Sequence, residues 1–233
     1  MRISRSPFSV APFTLAVVAL FLLAFLAEAA ANTGIDPLDL VKKVEAAYAR
    51  VKDYRARIEV TTYEKKGAVE TKKFLYTFKK PNRIRLDFES PHPGLVLSYP
   101  DPKGKVVVRP SSWVPFFKLH LAPDNSLLLD YSGQRVDQTD LGSLIKHIEH
   151  SLTDQRRGPV GITNGNGFVR IRVLADNPFR AGSVTLYQFF IDATLFLPVQ
   201  VEESTPDGRQ ERKITFEGLS IDTGVGDGFF QLD

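Results

Sequence analysis

No cysteine occurs anywhere in the 233-residue chain. That excludes disulfide staples, zinc–thiolate centres and thiol nucleophiles, and with them the acylated N-terminal cysteine of a lipoprotein. Charge imbalance is small as well. The 30 basic and 27 acidic residues leave +3, a balance that argues against nucleic acid as a partner. No G-x-S-x-G elbow is present, so serine-hydrolase chemistry of that type has no nucleophile to use. Long apolar runs are scarce. The one extended stretch, Phe13 to Ala27, falls short of the roughly 20 residues a membrane-crossing helix needs. It follows Arg2 and Arg5 and precedes the small-residue sequence Ala27-Glu28-Ala29-Ala30-Ala31-Asn32, the charged, apolar and A-x-A order of a secretory signal. The expectation is therefore a signal peptide over 1–31, cleaved after Ala29 or Ala31, and a single domain over 32–233. A retained anchor is the alternative.

What the chain does have is phenylalanine, 17 residues against one tryptophan and one methionine. Aromatic-rich strands either fill a core or line an apolar pocket. Asp36-Pro37 supplies an N-cap and a first helical position, and Leu38, Val41, Ala47, Tyr48 and Val51 recur at helical spacing. From Tyr54 the period becomes two, with Ala56, Ile58 and Val60 alternating against charged and polar residues. The alternation returns as Phe74, Tyr76 and Phe78 after the Lys65-Lys66-Gly67 turn, and as Ile84, Leu86 and Phe88 after Pro81-Asn82. Leu95 to Tyr99 and Lys105 to Arg109 read as the next hairpin. Pro110 to Asp140 loses periodicity and reads as a covering segment. A helix from Thr139 or Asp140 follows, with Leu141, Leu144, Ile145, Ile148 and Leu152 on one face. Four more strands, Phe168 to Leu174, Ser183 to Asp192, Pro198 to Glu203 and Arg209 to Ile221, complete an α+β domain whose sheet is antiparallel.

Candidate chemistry is sparse. His147 and His150 match neither H-E-x-x-H nor H-x-x-E-H and read as two solvated histidines on the polar side of a helix. Gly224-Val225-Gly226-Asp227-Gly228 lacks nucleotide-loop spacing and reads as a plain loop. Neither a catalytic set, nor a metal site, nor a cofactor site is expected. Eight basic residues, Lys65, Lys66, Lys72, Lys73, Lys79, Lys80, Arg83 and Arg85, either contact an acidic partner or merely blunt strand edges. The inward aromatic face either binds an apolar ligand or packs as ordinary core.

Four stretches carry a resemblance. Tyr76-Thr77-Phe78-Lys79-Lys80-Pro81-Asn82-Arg83-Ile84-Arg85-Leu86 is similar to the strand, Pro-Asn turn and returning strand of the periplasmic outer-membrane lipoprotein-sorting superfamily, the LolA/LolB/RseB-like proteins. Leu95-Val96-Leu97-Ser98-Tyr99 leading to Val106-Val107-Val108-Arg109-Pro110, and Leu197-Pro198-Val199, add to it. So does the ending Ile214 to Asp222 followed by Phe229-Phe230. The resemblance implies a periplasmic protein with a half-open antiparallel β-barrel, a strongly curved sheet whose concave face helices cover. It also implies non-catalytic binding of a lipoprotein acyl chain or another lipid. Ile58, Val60, Phe74, Tyr76, Phe78, Leu86 and Phe88 are then the ligand-binding set, with Trp113, Phe116 and Phe117 as lid contacts. Lys80 is the gating candidate, standing where the family's carrier has an arginine, and Leu86 stands where the family has tryptophan. The second reading is a sensor or interaction module that meets an inner- or outer-membrane protein through the basic hairpin.

Overall fold

The computed structural model describes residues 36–64, 67, 69–110, 117–130, 132–153 and 160–232. The first element is helix α1 (Pro37–Arg50), where Asp36 accepts a hydrogen bond from the Leu38 N–H at 2.8 Å as N-cap. Its buried stripe is Leu40, Val41, Val44 and Ala47. Two residues later the chain enters β1 (Asp53–Tyr63), and a meander follows through β2 (Val69–Lys79), β3 (Arg83–Ser90), β4 (Val96–Tyr99), β5 (Val106–Arg109) and β6 (Leu119–Leu121). Helix α2 (Leu141–Thr153) comes next. A second meander runs β7 (Gly161–Asn164), β8 (Phe168–Asp176), β9 (Val184–Asp192), β10 (Pro198–Ser204) and β11 (Gln210–Ile221).

The two meanders are joined through their long strands, because β1 pairs with β11 as well as with β2. The order across the sheet is β6-β5-β4-β3-β2-β1-β11-β10-β9-β8-β7. All ten pairings are antiparallel. The sheet does not close: β6 and β7 are its two edges. The α+β, half-open antiparallel barrel expected from the sequence is the fold observed.

Two strands lie outside the sequence reading. β6 is three residues long and sits inside the segment read as a cover, too short for alternation to show. β7 has a single buried side chain, Ile162. It is folded back on β8 by the Asn164–Gly167 turn, where Gly167 takes φ +83° and a Cβ on Gly165 would stand 2.4 Å from the Phe168 ring.

The helices cover the two halves of the sheet unequally. Leu40, Val41 and Val44 of α1 and Ile145 and Ile148 of α2 pack on Ile171, Tyr187, Phe189 and their neighbours in β7–β10. Over β1–β5 the concave face carries a second cluster built from Tyr54, Ile58, Phe74, Tyr76 and Phe78, joined by Val136 and Leu141. That difference in cover leaves room above the long strands.

Candidate functional site

Strand register decides which side chains share the concave face. Ile58 stands opposite Phe74 on β2 and Phe216 on β11, and Val60 opposite Ile214, which in turn faces Val201 on β10. These apolar rows form the floor of a cavity with two lobes. One lobe, about 360 Å³, lies between the floor and α2, with Leu144, His147 and Phe179 on its upper wall. The other, about 490 Å³, lies over β1–β6 and is bounded by Leu127, Leu128 and Leu129 and by Val136. Val60, Phe74, Leu86, Gln134, Thr139 and Arg212 line both lobes.

Of the seven strand residues singled out from the sequence, Ile58 and Tyr76 line the helix-side lobe, Phe88 the loop-side lobe, and Val60, Phe74 and Leu86 both. Phe78 lines neither. It is 1 % exposed and stacks on Tyr54 with ring centroids 5.1 Å apart, a core position. Phe117 is 51 % exposed and is not among the lining residues of either lobe. Trp113 and Phe116 lie outside the described residues.

The cover over the cavity is anchored by polar contacts. Asp140 caps α2, accepting from the Gly142 N–H at 2.7 Å and from the Ser143 hydroxyl at 2.6 Å. It also accepts from the Tyr48 hydroxyl of α1 at 3.1 Å. The Tyr54 hydroxyl accepts from the Leu141 N–H at 2.9 Å, and the Tyr76 hydroxyl bonds Thr139 at 3.2 Å. Burial, with the Asp140 charge beside it, pushes the Tyr48 phenol well above its ordinary range. Lys80 ends this network. Its Nζ donates to the Tyr48 and Ala49 carbonyls at 2.7 and 3.0 Å, at the C-terminal turn of α1, and lies 4.4 Å from the Tyr48 ring centre. Lys80 thus ties the turn after β2 to the helix.

A polar group crosses the apolar floor, and sequence reasoning missed it. Arg212 faces Thr62 on β1 and Glu203 on β10. It is 5 % exposed, and its Nη2 donates to Asp130 at 2.6 Å while Glu203 stands 3.8 Å from Nη1. Burial raises the Glu203 carboxyl above its usual range, the Arg212 charge opposing the rise. His147 is close to this group. The sequence reading made it solvated; instead its ring meets Tyr187, Phe189 and Phe179 edge-on, with centroids 4.6, 5.6 and 6.0 Å away. Burial, helped by the charges of His150 and Arg212, lowers its pKa to about 4. The signal was available: Arg212 is in phase with Ile214 and Phe216, Glu203 with Val201, and His147 lies three residues after Leu144 and four before the buried Ser151.

The basic hairpin is largely neutralised from within. Lys72 pairs with Glu70 at 3.5 Å, Lys73 with Glu59 at 2.7 Å, Lys79 and Arg83 with Asp227 at 2.6 and 3.5 Å, and Arg85 with Asp87 at 2.8 Å. Lys65 and Lys66 lie outside the described residues. Edge protection does not account for the set either, because β2 lies between β1 and β3. Among the described residues no group of three or more His, Asp or Glu side chains is arranged to hold a metal ion, and no helix is long and apolar enough to cross a membrane.

No protein-family model and no curated protein matches the sequence. Solved structures do match in shape. An outer membrane lipoprotein-sorting protein domain from Vibrio parahaemolyticus is 10 % identical over 83 % of this chain and 95 % of that one, with a TM-score of 0.44. The Mycobacterium tuberculosis lipoprotein LppX is 8 % identical over 82 % of this chain and 97 % of that one, with a TM-score of 0.46. MucB of Pseudomonas aeruginosa, solved with MucA, is 13 % identical over 84 % of this chain and 61 % of that one, with a TM-score of 0.40. The likeness to these three chains is one of general shape, at identities of 8–13 % and TM-scores of 0.40–0.46.

Proposed function

We propose that the protein is a non-catalytic periplasmic carrier or binding protein that holds the acyl chains of a lipid or lipoprotein in the two-lobed cavity. The observation that carries this is that the two lobes adjoin along the same strand residues. Val60, Phe74 and Leu86 wall both, so a single long apolar ligand can bridge them. Burying a 16-carbon chain at roughly 0.8 kcal/mol per methylene supplies on the order of 10 kcal/mol before ordering costs, enough for tight binding. Lys80, by holding the end of α1, is placed to set how readily the cover opens. A signal peptide over 1–31 would deliver the remaining single domain to the periplasm, free of the bilayer.

An interaction module working through the basic hairpin gains no support, since each described cation there is engaged within the chain.

The test is a fluorescence titration with a pyrene-labelled 16-carbon acyl ester, comparing Val60→Glu with Leu75→Glu. Val60 is half-buried in both lobes, whereas Leu75 is 46 % exposed and points away from them. Binding should be lost in the first variant and kept in the second. Equal binding by both would sink the proposal.

A further inference from the structure

The polar group on the cavity floor is not fully used by the protein. Arg212 spends its terminal nitrogens on Asp130 and on the Ser132 hydroxyl, 3.0 Å from Nη1. Its Nε–H is shielded from solvent and has no hydrogen-bond partner among the described residues, and the same holds for His147 Nε2. Both side chains line the helix-side lobe. Buried polar atoms in folded proteins nearly always find a partner. Two that lack one, on side chains lining the same lobe, point to an acceptor brought by the ligand.

We infer that Arg212 and His147 recognise an uncharged carbonyl oxygen, the ester or amide that joins an acyl chain to the rest of a lipid. Arg212 Nε donates to that oxygen, joined by His147 in the tautomer that carries its proton on Nε2. This assignment rests on the lipid-binding function proposed above and goes beyond it by fixing where the ligand's linkage sits. Arg212, Gln134 and Thr139 are shared by the two lobes, so a linkage held there sends one chain to each side.

Charge disfavours the obvious competitor. A fatty-acid carboxylate at the Arg212 Nε would be a third acidic group beside Asp130 and Glu203, which already share that guanidinium, while Lys146, the lysine lining this lobe, is exposed. A bare hydrocarbon would leave both donors unpaired. His147, neutral near pH 7, adds no cation to attract an anion.

The experiment is calorimetric titration of the purified protein with three probes: 1,2-dioctanoylglycerol, its diether analogue 1,2-di-O-octylglycerol, which keeps both tails and lacks the carbonyls, and octanoate. The diester should bind about tenfold or more tighter than the diether, as expected for a hydrogen bond from a charged donor. Arg212→Lys keeps a cation beside Asp130 and Glu203 but removes the Nε donor. It should remove most of the diester's advantage over the diether. His147→Phe, which keeps the aromatic contacts, should narrow the gap in part. Diester and diether binding equally well to the unaltered protein would overturn the linkage site while leaving lipid binding intact. Octanoate binding tightest would overturn the uncharged-acceptor claim, and failure of all three probes would overturn both this inference and the function beneath it.

Discussion

His147 should make the protein lose stability as the medium is acidified, by an amount the structure allows one to work out. The ring is held among Tyr187, Phe189 and Phe179, and its pKa falls from the ordinary 6.5 to about 4. The folded state therefore disfavours the proton that the unfolded chain accepts. Below pH 6.5 the unfolded state binds more protons, so stability falls with falling pH until the folded ring also protonates near pH 4. Between pH 7.5 and 5 the loss amounts to about 2 kcal/mol. Glu203, whose carboxyl is raised by burial, works in the opposite sense: it binds a proton more readily folded than unfolded, and so adds stability as pH falls toward its range. Subtracting His147→Phe from the unaltered protein isolates the histidine, because Glu203, His150 and Arg212 remain in both. Urea unfolding of the two proteins at pH 7.5 and pH 5 should show the unaltered one losing about 2 kcal/mol more than the variant. Equal losses would refute the claim that the ring is buried and neutral.

Removing the guanidinium with Arg212→Ala leaves Asp130 and Glu203 without their shared cation, and should cost about 3–5 kcal/mol in urea unfolding. Phe78→Ala should cost a similar 3–5 kcal/mol by opening a void beside Tyr54. At a temperature where it remains folded, its acyl-probe affinity should match the unaltered protein, since Phe78 lines neither lobe. Lys80→Ala should release the C-terminal turn of α1. Faster amide exchange in Leu40–Arg50, with the sheet unaffected, is the expected result by hydrogen-exchange mass spectrometry.

Much of this molecule is legible in its sequence because one face of each long strand is buried. Alternation from Tyr54 to Val60, Phe74 to Phe78 and Ile84 to Phe88 places those strands and their inward faces correctly. Capping residues Asp36 and Asp140 mark where the two helices begin. Alternation carries no information about which inward side chain meets a cavity and which meets another side chain. Phe74 and Phe78 are equivalent by period, yet the first borders both lobes and the second is stacked under Tyr54. Pairing of the first strand with the last is likewise a contact between distant segments, and it alone brings Arg212 opposite Thr62. The polar group could have been found by asking which charged residues fall in phase with apolar neighbours. Lys72 shows that such a rule is too generous, because it faces inward beside Val60 but sits toward the cavity mouth paired to Glu70.

The central claim is that the cavity carries a lipid in the cell. Native mass spectrometry of the protein purified from the periplasm without detergent, before and after delipidation, tests it most directly. The account predicts extra mass of lipid or acyl-peptide size on the unaltered protein, absent from Val60→Glu and present on Leu75→Glu. A bare polypeptide in all three, with no uptake of added dioctanoylglycerol, would contradict it and reduce the two lobes to imperfectly packed core.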